Sequence, residues 1–153
     1  MSPLMRRSLL VLLVALLTAA CIAGRSSPQS DKALFGRLLA VDVTTAKIEN
    51  LEFLTGDEAT KAYGMETGQS GGPPNAYWIR DLHTTATLNL DPTVSIVALG
   101  CDDGGTPSEE PLDPDGLVQA MAVPEARDSC WTDFFWFHFR DGRVVRIAAQ
   151  YLP

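Results

Sequence analysis

Three cysteines and two histidines in 153 residues leave too few soft ligands for a zinc or other transition-metal cluster. Positive charge is also scarce: twelve Lys and Arg stand against nineteen Asp and Glu, a formal net charge of −7. That balance argues against nucleic acid or an anionic membrane surface as the main partner, since both need a basic face. There is no internal repeat and no low-complexity segment. Long hydrophobic runs are missing except at the N-terminus. There Leu9 to Leu17 is nine strongly apolar residues, extended to fifteen by counting through Ala23, still short of the ~20 needed to cross a bilayer. With 46% hydrophobic and 20% charged residues, the remainder has room for one compact domain.

The N-terminus carries the three parts of a secretory signal peptide over residues 1–20: Arg6-Arg7, the apolar stretch, and the small residues Thr18-Ala19-Ala20. Leu17-Thr18-Ala19-Ala20-Cys21 resembles a bacterial lipobox, in which the Cys thiol forms a thioether to a diacylglyceryl group and becomes the new N-terminus. The expectation is a lipoprotein anchored to the outer face of the cell membrane through Cys21, with free secretion after Ala20 as the alternative. Residues 21–33 then form the lipidated cysteine and a flexible tether, and 34–153 a single β-rich domain. With Arg6 and Arg7 removed, ten bases face nineteen acids, a net of −9. The membrane is therefore expected as a partner through the lipid anchor only, the domain standing clear of anionic lipid. Lipidation of Cys21 leaves Cys101 and Cys130 as an even pair in an oxidising compartment, which predicts a disulfide between them.

Period-two patterning predicts strands over 35–43, with Phe35, Leu39, Val41 and Val43 on one face, and over 48–54, with Leu51 and Phe53 inward. Thr55-Gly56-Asp57-Glu58 reads as a capping box opening a helix that stops at Gly64. Strands follow at 75–81, 84–90 and 93–99, then an acidic loop from Cys101 to Asp115 and a short helix from Leu117 to Ala122. Phe134–Arg140 and Arg143–Ala149 meet across Asp141-Gly142, a type I′ hairpin signal, with Trp136 facing Ile147 and His138 facing Val145. The fold class this implies is mainly β: a small antiparallel barrel or strongly curved sheet, OB-like, with one or two short helices. One sheet with the Thr55 helix packed across it is the alternative.

Few groups suit catalysis. His138 shares a strand face with Phe134, Trp136 and Arg140 but has no Ser or Cys nucleophile nearby, and His83 with Asp81 is a lone pair, short of a metal site. Asp102, Asp103, Glu109, Glu110, Asp113 and Asp115 lack the calcium-loop spacing and read as a solvated acidic loop. No metal and no cofactor is expected. Phe135, Phe137, Phe139 and Val144 make the last hairpin apolar on its second face, which is either covered by a helix or loop or presented to a partner.

Phe53-Leu54-Thr55-Gly56-Asp57-Glu58-Ala59, Tyr77-Trp78-Ile79-Arg80-Asp81 and Asp141-Gly142-Arg143-Val144-Val145-Arg146-Ile147, through Gln150-Tyr151-Leu152-Pro153, together resemble a family of small secreted proteins and lipoproteins of actinobacteria. The likeness runs over most of residues 35–153; the chain departs from the family pattern at Asp81, Ala148, Ala149 and in the acidic insert between Cys101 and Cys130. The resemblance implies export and a β-rich fold, with no active site to carry over. The expected function is thus a non-catalytic binding or interaction domain of a cell-envelope lipoprotein, its partner an envelope protein or a small ligand. Its rivals are a secreted hydrolase using His138 or paired carboxylates, and a structural or inhibitory module that docks proteins through the aromatic hairpin.

Overall fold

The computed structural model describes residues 32–152, so the signal peptide, Cys21 and the tether as far as residue 31 lie outside the described residues. The elements are β1 (Ala33–Val41), β2 (Thr45–Thr55), α1 (Gly56–Thr67), β3 (Tyr77–Cys101), β4 (Pro107–Leu112), α2 (Pro114–Ala122), a 3₁₀ turn (Pro124–Ala126), β5 (Phe134–Arg140) and β6 (Arg143–Ala149). They build one six-stranded sheet in the order β2-β1-β5-β6-β3-β4, and β2 also pairs with β3. That pairing turns five of the strands into a ring and leaves β4 on its edge. The protein is mainly β, with the curved, OB-like sheet that the strand pattern predicts.

Closing so small a ring requires sharp local bending, which β-bulges supply. The register of β1 on β2 skips at Leu39, that of β2 on β3 at Asn50, and that of β5 on β6 at Val145. Each skip moves side chains to the other face and so corrects a reading made from strict alternation. On β1 it is Leu38 that enters the barrel core, while Leu39 and, past the end of the strand, Val43 are 43% and 54% exposed. On β6 the extra residue at Val145 sets Trp136 against Ala148 and His138 against Arg146, where an unbroken hairpin would give Ile147 and Val145. The turn itself is as expected: Asp141 and Gly142 both take positive φ, 50° and 77°, as a I′ turn requires.

The three strands expected between 75 and 99 are one continuous strand, β3, bent twice. Its first bend is at His83 (φ 55°), whose N–H donates to the Asp81 carboxylate; the second lies between Leu90 and Ser95. Its first half pairs with β2 and its second with β6, in parallel, and with β4. Within the expected acidic loop lies β4, an edge strand whose Pro107, Pro111, Glu109 and Glu110 discourage further strand pairing. Thr55 stands at the N-cap of α1 but its side chain makes no capping bond, and the helix runs past Gly64 to a left-handed Gly68.

The barrel interior is filled by Leu38, Ile48, Leu88, Ile96, Phe135, Phe137, Val144 and Ile147, with Leu117 of α2 inserted among them and fully buried. α2 starts where the rules of helix ends place it: Pro114 leads, and the Asp113 carboxylate accepts the Gly116 N–H at 2.6 Å. The helix thus plugs the ring between the β3–β4 hairpin and β1. Phe135, Phe137 and Val144 are therefore core residues, 0% exposed, and Phe139 packs against the same cluster. They form no docking surface. The outward residues of the hairpin are Phe134 and Trp136, because the apolar plug sits on the other side.

Candidate binding surface

Since Leu38, Ile48, Phe135 and Phe137 point inward, alternation turns Phe35 and Arg37 of β1, Leu51 and Phe53 of β2, and Phe134 and Trp136 of β5 to the outside of the ring. There the rings form one continuous row. Tyr77 stacks on Phe53 at 5.2 Å between centroids, Phe53 meets Phe35 edge-on at 5.3 Å, and Phe35 touches Trp136 at 5.0 Å and stacks with Phe134 at 6.2 Å. Phe35 is nearly buried at 4% exposure, and the other four rings are half-buried. Each aromatic pair is worth roughly 0.5–1.5 kcal/mol beyond its buried area, so the row is a stiff outer layer. Its polar edges are placed as well. The Trp136 Nε1–H donates to Gln150 Oε1 at 2.9 Å, and the Arg37 guanidinium lies over Phe134 at 5.2 Å while bridging Glu49 at 3.2 Å.

At its Phe134 end the row opens into a cavity of about 750 Å³ lined by Arg37, Phe134, Trp131, Cys130, Pro107 and Tyr151. The far wall is held by the Cys101–Cys130 disulfide, with Cα atoms 5.3 Å apart. Asp128 secures that wall, one carboxylate oxygen accepting the Cys101 N–H and the other the Cys130 N–H. Arg127 secures the loop behind it. Its guanidinium donates to the carbonyls of Ala120 and Met121 at the end of α2 and to Asp133, and stacks over Trp131 at 5.1 Å. A smaller cavity, about 370 Å³, lies between this loop, α2 and β3–β4, lined by Leu99, Glu110, Gln119, Arg127 and Trp131.

The residues singled out from the sequence are scattered. His83 sits exposed on the β3 bend with Nδ1 3.1 Å from Asp81, and His138 lies on the opposite wall of the barrel, in a groove with Arg140, Arg143 and Arg146. The His138 groove also carries the hydroxyls of Thr93 and Ser95, which the sequence reading missed, but the Thr93 hydroxyl donates to Asp91 and neither is hydrogen-bonded to the ring among the described residues. Of the acidic stretch, Asp102 accepts the N–H groups of Gly104 and Thr106, Asp113 caps α2, Asp115 lies in its first turn, and Glu109 and Glu110 belong to β4. Asp102 and Asp113 thus hold a turn and a helix end where the sequence suggests a uniform solvated loop. The one described group with metal-ligand spacing is Cys101, Asp128 and Cys130, and its thiols are joined to each other.

Sequence reasoning overlooked Phe35, Phe53 and Tyr77 as members of one surface, because they come from three strands. A signal existed: Phe35 alternates with Arg37, and Phe53 with Leu51 and Glu49, the mixed pattern of a face that is part wet. Arg127 carried no signal, since its partners come from α2 and from Asp133. The chain matches no protein-family model, no curated protein and no solved structure.

Proposed function

We propose that this chain is an exported domain, held to the outer face of the cell membrane through lipidated Cys21, that binds a ligand without transforming it. The observation that carries the reading is the outer row of Tyr77, Phe53, Phe35, Trp136 and Phe134, leading into the cavity beside the disulfide. Rings already locked by one another lose little freedom when a ligand lies on them, so contact area is gained at low entropic cost. Trp136, Tyr77 and Arg37 are the residue types on which binding energy concentrates. Sheet faces of OB-like barrels serve this way in general. The disulfide suits an oxidising compartment, and its position on the cavity wall gives it a reason to be there. The ligand is an envelope component with flat apolar faces and polar edges.

Two measurements test the reading. Fatty-acid labelling of the expressed protein should mark Cys21, and Cys21→Ala should abolish the label; an unlabelled mature chain overturns the anchor. Titration calorimetry against purified envelope glycan fragments and envelope peptides should show saturable binding to one of these, weakened at least tenfold by Trp136→Ala or Tyr77→Ala with unchanged far-UV spectra. Variants that bind like the wild type would move the site elsewhere.

A further inference from the structure

The arginines of the described chain fall into two sets. Arg37, Arg80 and Arg127 each bridge a carboxylate: Glu49, Glu52 and Asp133. Arg140, Arg143 and Arg146 make no ion pair within 4 Å among the described residues, and all three line one groove of about 590 Å³ at the β5–β6 turn, with His138, Thr93 and Asp91. The groove also holds Asp141. Asp91 is occupied: its carboxylate accepts the Thr93 N–H at 2.9 Å and the Thr93 hydroxyl at 2.6 Å. Those bonds, with Arg143 and Arg140 nearby, hold it below the usual carboxylate range.

The position of this groove matters as much as its charge. Ala33, the first residue of β1, pairs with His138, and the Lys32 carbonyl accepts the Phe139 N–H at 3.0 Å. The chain therefore enters the domain beside the arginines, bringing Lys32 with it. Three arginines and Lys32 against Asp91 and Asp141 leave this end at +2, while residues 21–153 as a whole carry −9. Because β3 runs parallel to β6, Asp91 lies at the arginine end, and Asp102 and Asp103 follow the far end of the same strand. Charges at that distance are screened at physiological salt, where the Debye length is about 8 Å. Net charge averages over a surface on which the charges are segregated.

We propose that the Arg140–Arg143–Arg146 end of the barrel rests on anionic phospholipid headgroups and so sets which way the anchored domain faces. The proposal rests on the reading that Cys21 is lipidated. The eleven steps from Cys21 to Lys32 reach at most roughly 40 Å fully extended, and they join the domain at this end. The anchor thus holds this end, more than any other, at high local concentration near the bilayer. Weak contacts suffice under those conditions. With the arginines seated on phosphate, Asp102, Asp103 and the β3–β4 hairpin face away from the membrane.

The test uses the mature chain attached through Cys21 to a maleimide lipid in nanodiscs, which reads the groove independently of natural acylation. Amide signals are recorded with a paramagnetic headgroup lipid present. In discs of phosphatidylcholine with 30% phosphatidylglycerol, residues 91–95 and 138–146 should relax at least tenfold faster than residues 102–110. In pure phosphatidylcholine, and in the triple variant Arg140→Gln/Arg143→Gln/Arg146→Gln, that contrast should vanish; each arginine lost should weaken the docked state about fivefold. A Lys47→Gln/Lys61→Gln variant, with charges removed elsewhere, should keep it. Equal relaxation at both ends of the barrel, or a contrast that survives in pure phosphatidylcholine, overturns the proposal. So does a groove that shifts with soluble polyphosphate but not with phosphatidylglycerol discs. Failure of fatty-acid labelling at Cys21 would instead strike the anchor reading, and the two failures are separable.

Discussion

Replacing Phe137 by Ala distinguishes the two faces of the last hairpin. Phe137 is 0% exposed, pairs with Ile147 across the sheet, lies 6.4 Å from the Phe135 ring and belongs to the cluster that receives Leu117. Nothing around it can collapse into the space, because the barrel strands are bonded on both sides and the plug helix is pinned by Asp113 and Arg127. The cost should therefore reach the full range for deleting a buried aromatic, about 3–5 kcal/mol. For a domain of this size each kcal/mol shifts the melting midpoint by about 4 °C, so the loss is about 12–20 °C. Total stabilities of such domains are about 5–15 kcal/mol, and Phe137→Leu, at roughly 1–2 kcal/mol, gives a graded variant should the alanine variant fail to fold. Trp136→Ala is the control. Trp136 is half-buried on the outer row, and its removal leaves a notch open to solvent rather than a cavity. It loses ring contacts and the Gln150 bond, roughly 1–2 kcal/mol. Urea and thermal melts followed by far-UV circular dichroism measure both variants without relying on tryptophan emission. If Trp136→Ala proves the more costly of the two, the assignment of faces, and the outer row built on it, is wrong.

Opening the Cys101–Cys130 bridge by Cys101→Ser/Cys130→Ser should lower stability by about 3.6 kcal/mol on the chain-entropy account of a 29-residue separation; mass mapping without reductant that finds both thiols free would remove the basis for this. Asp42 should contribute to acid sensitivity. Its carboxylate accepts the hydroxyls and N–H groups of Thr45 and Thr44, and these bonds, the Thr45 hydroxyl first, hold it far below the usual range. A carboxylate depressed by folding stabilises the native state fully above its unfolded pKa, about 3.9, and loses that contribution as pH falls through the native value. The stability gap between wild type and Asp42→Asn should then be constant from pH 6 to 8 and shrink below about pH 4; denaturant midpoints that keep the same gap at pH 3 would contradict it.

How much of this was legible in the sequence depends on how local each interaction is. The β-rich class, the Asp141-Gly142 turn, the Cys101–Cys130 pairing and the short α2 helix all follow from neighbouring residues or from counting, and the fold contains them. Strand phase did not follow. Alternation is a rule for unbroken strands, and the single extra residues at Leu39 and Val145 reverse which side chains point inward, a choice made by the curvature needed to close the ring. The aromatic stretch 134–139 reads as two apolar faces with no means of deciding which is core. Only the arrival of Leu117 from α2 decides it, burying Phe135 and Phe137 and leaving Phe134 and Trp136 to join Phe35, Phe53 and Tyr77 outside. Charge behaves in the same way. The sequence determines the net charge, a sum over all residues. The tertiary structure alone decides that Arg140, Arg143 and Arg146 share one groove beside the point where the chain enters, because that depends on which strand ends the barrel brings together.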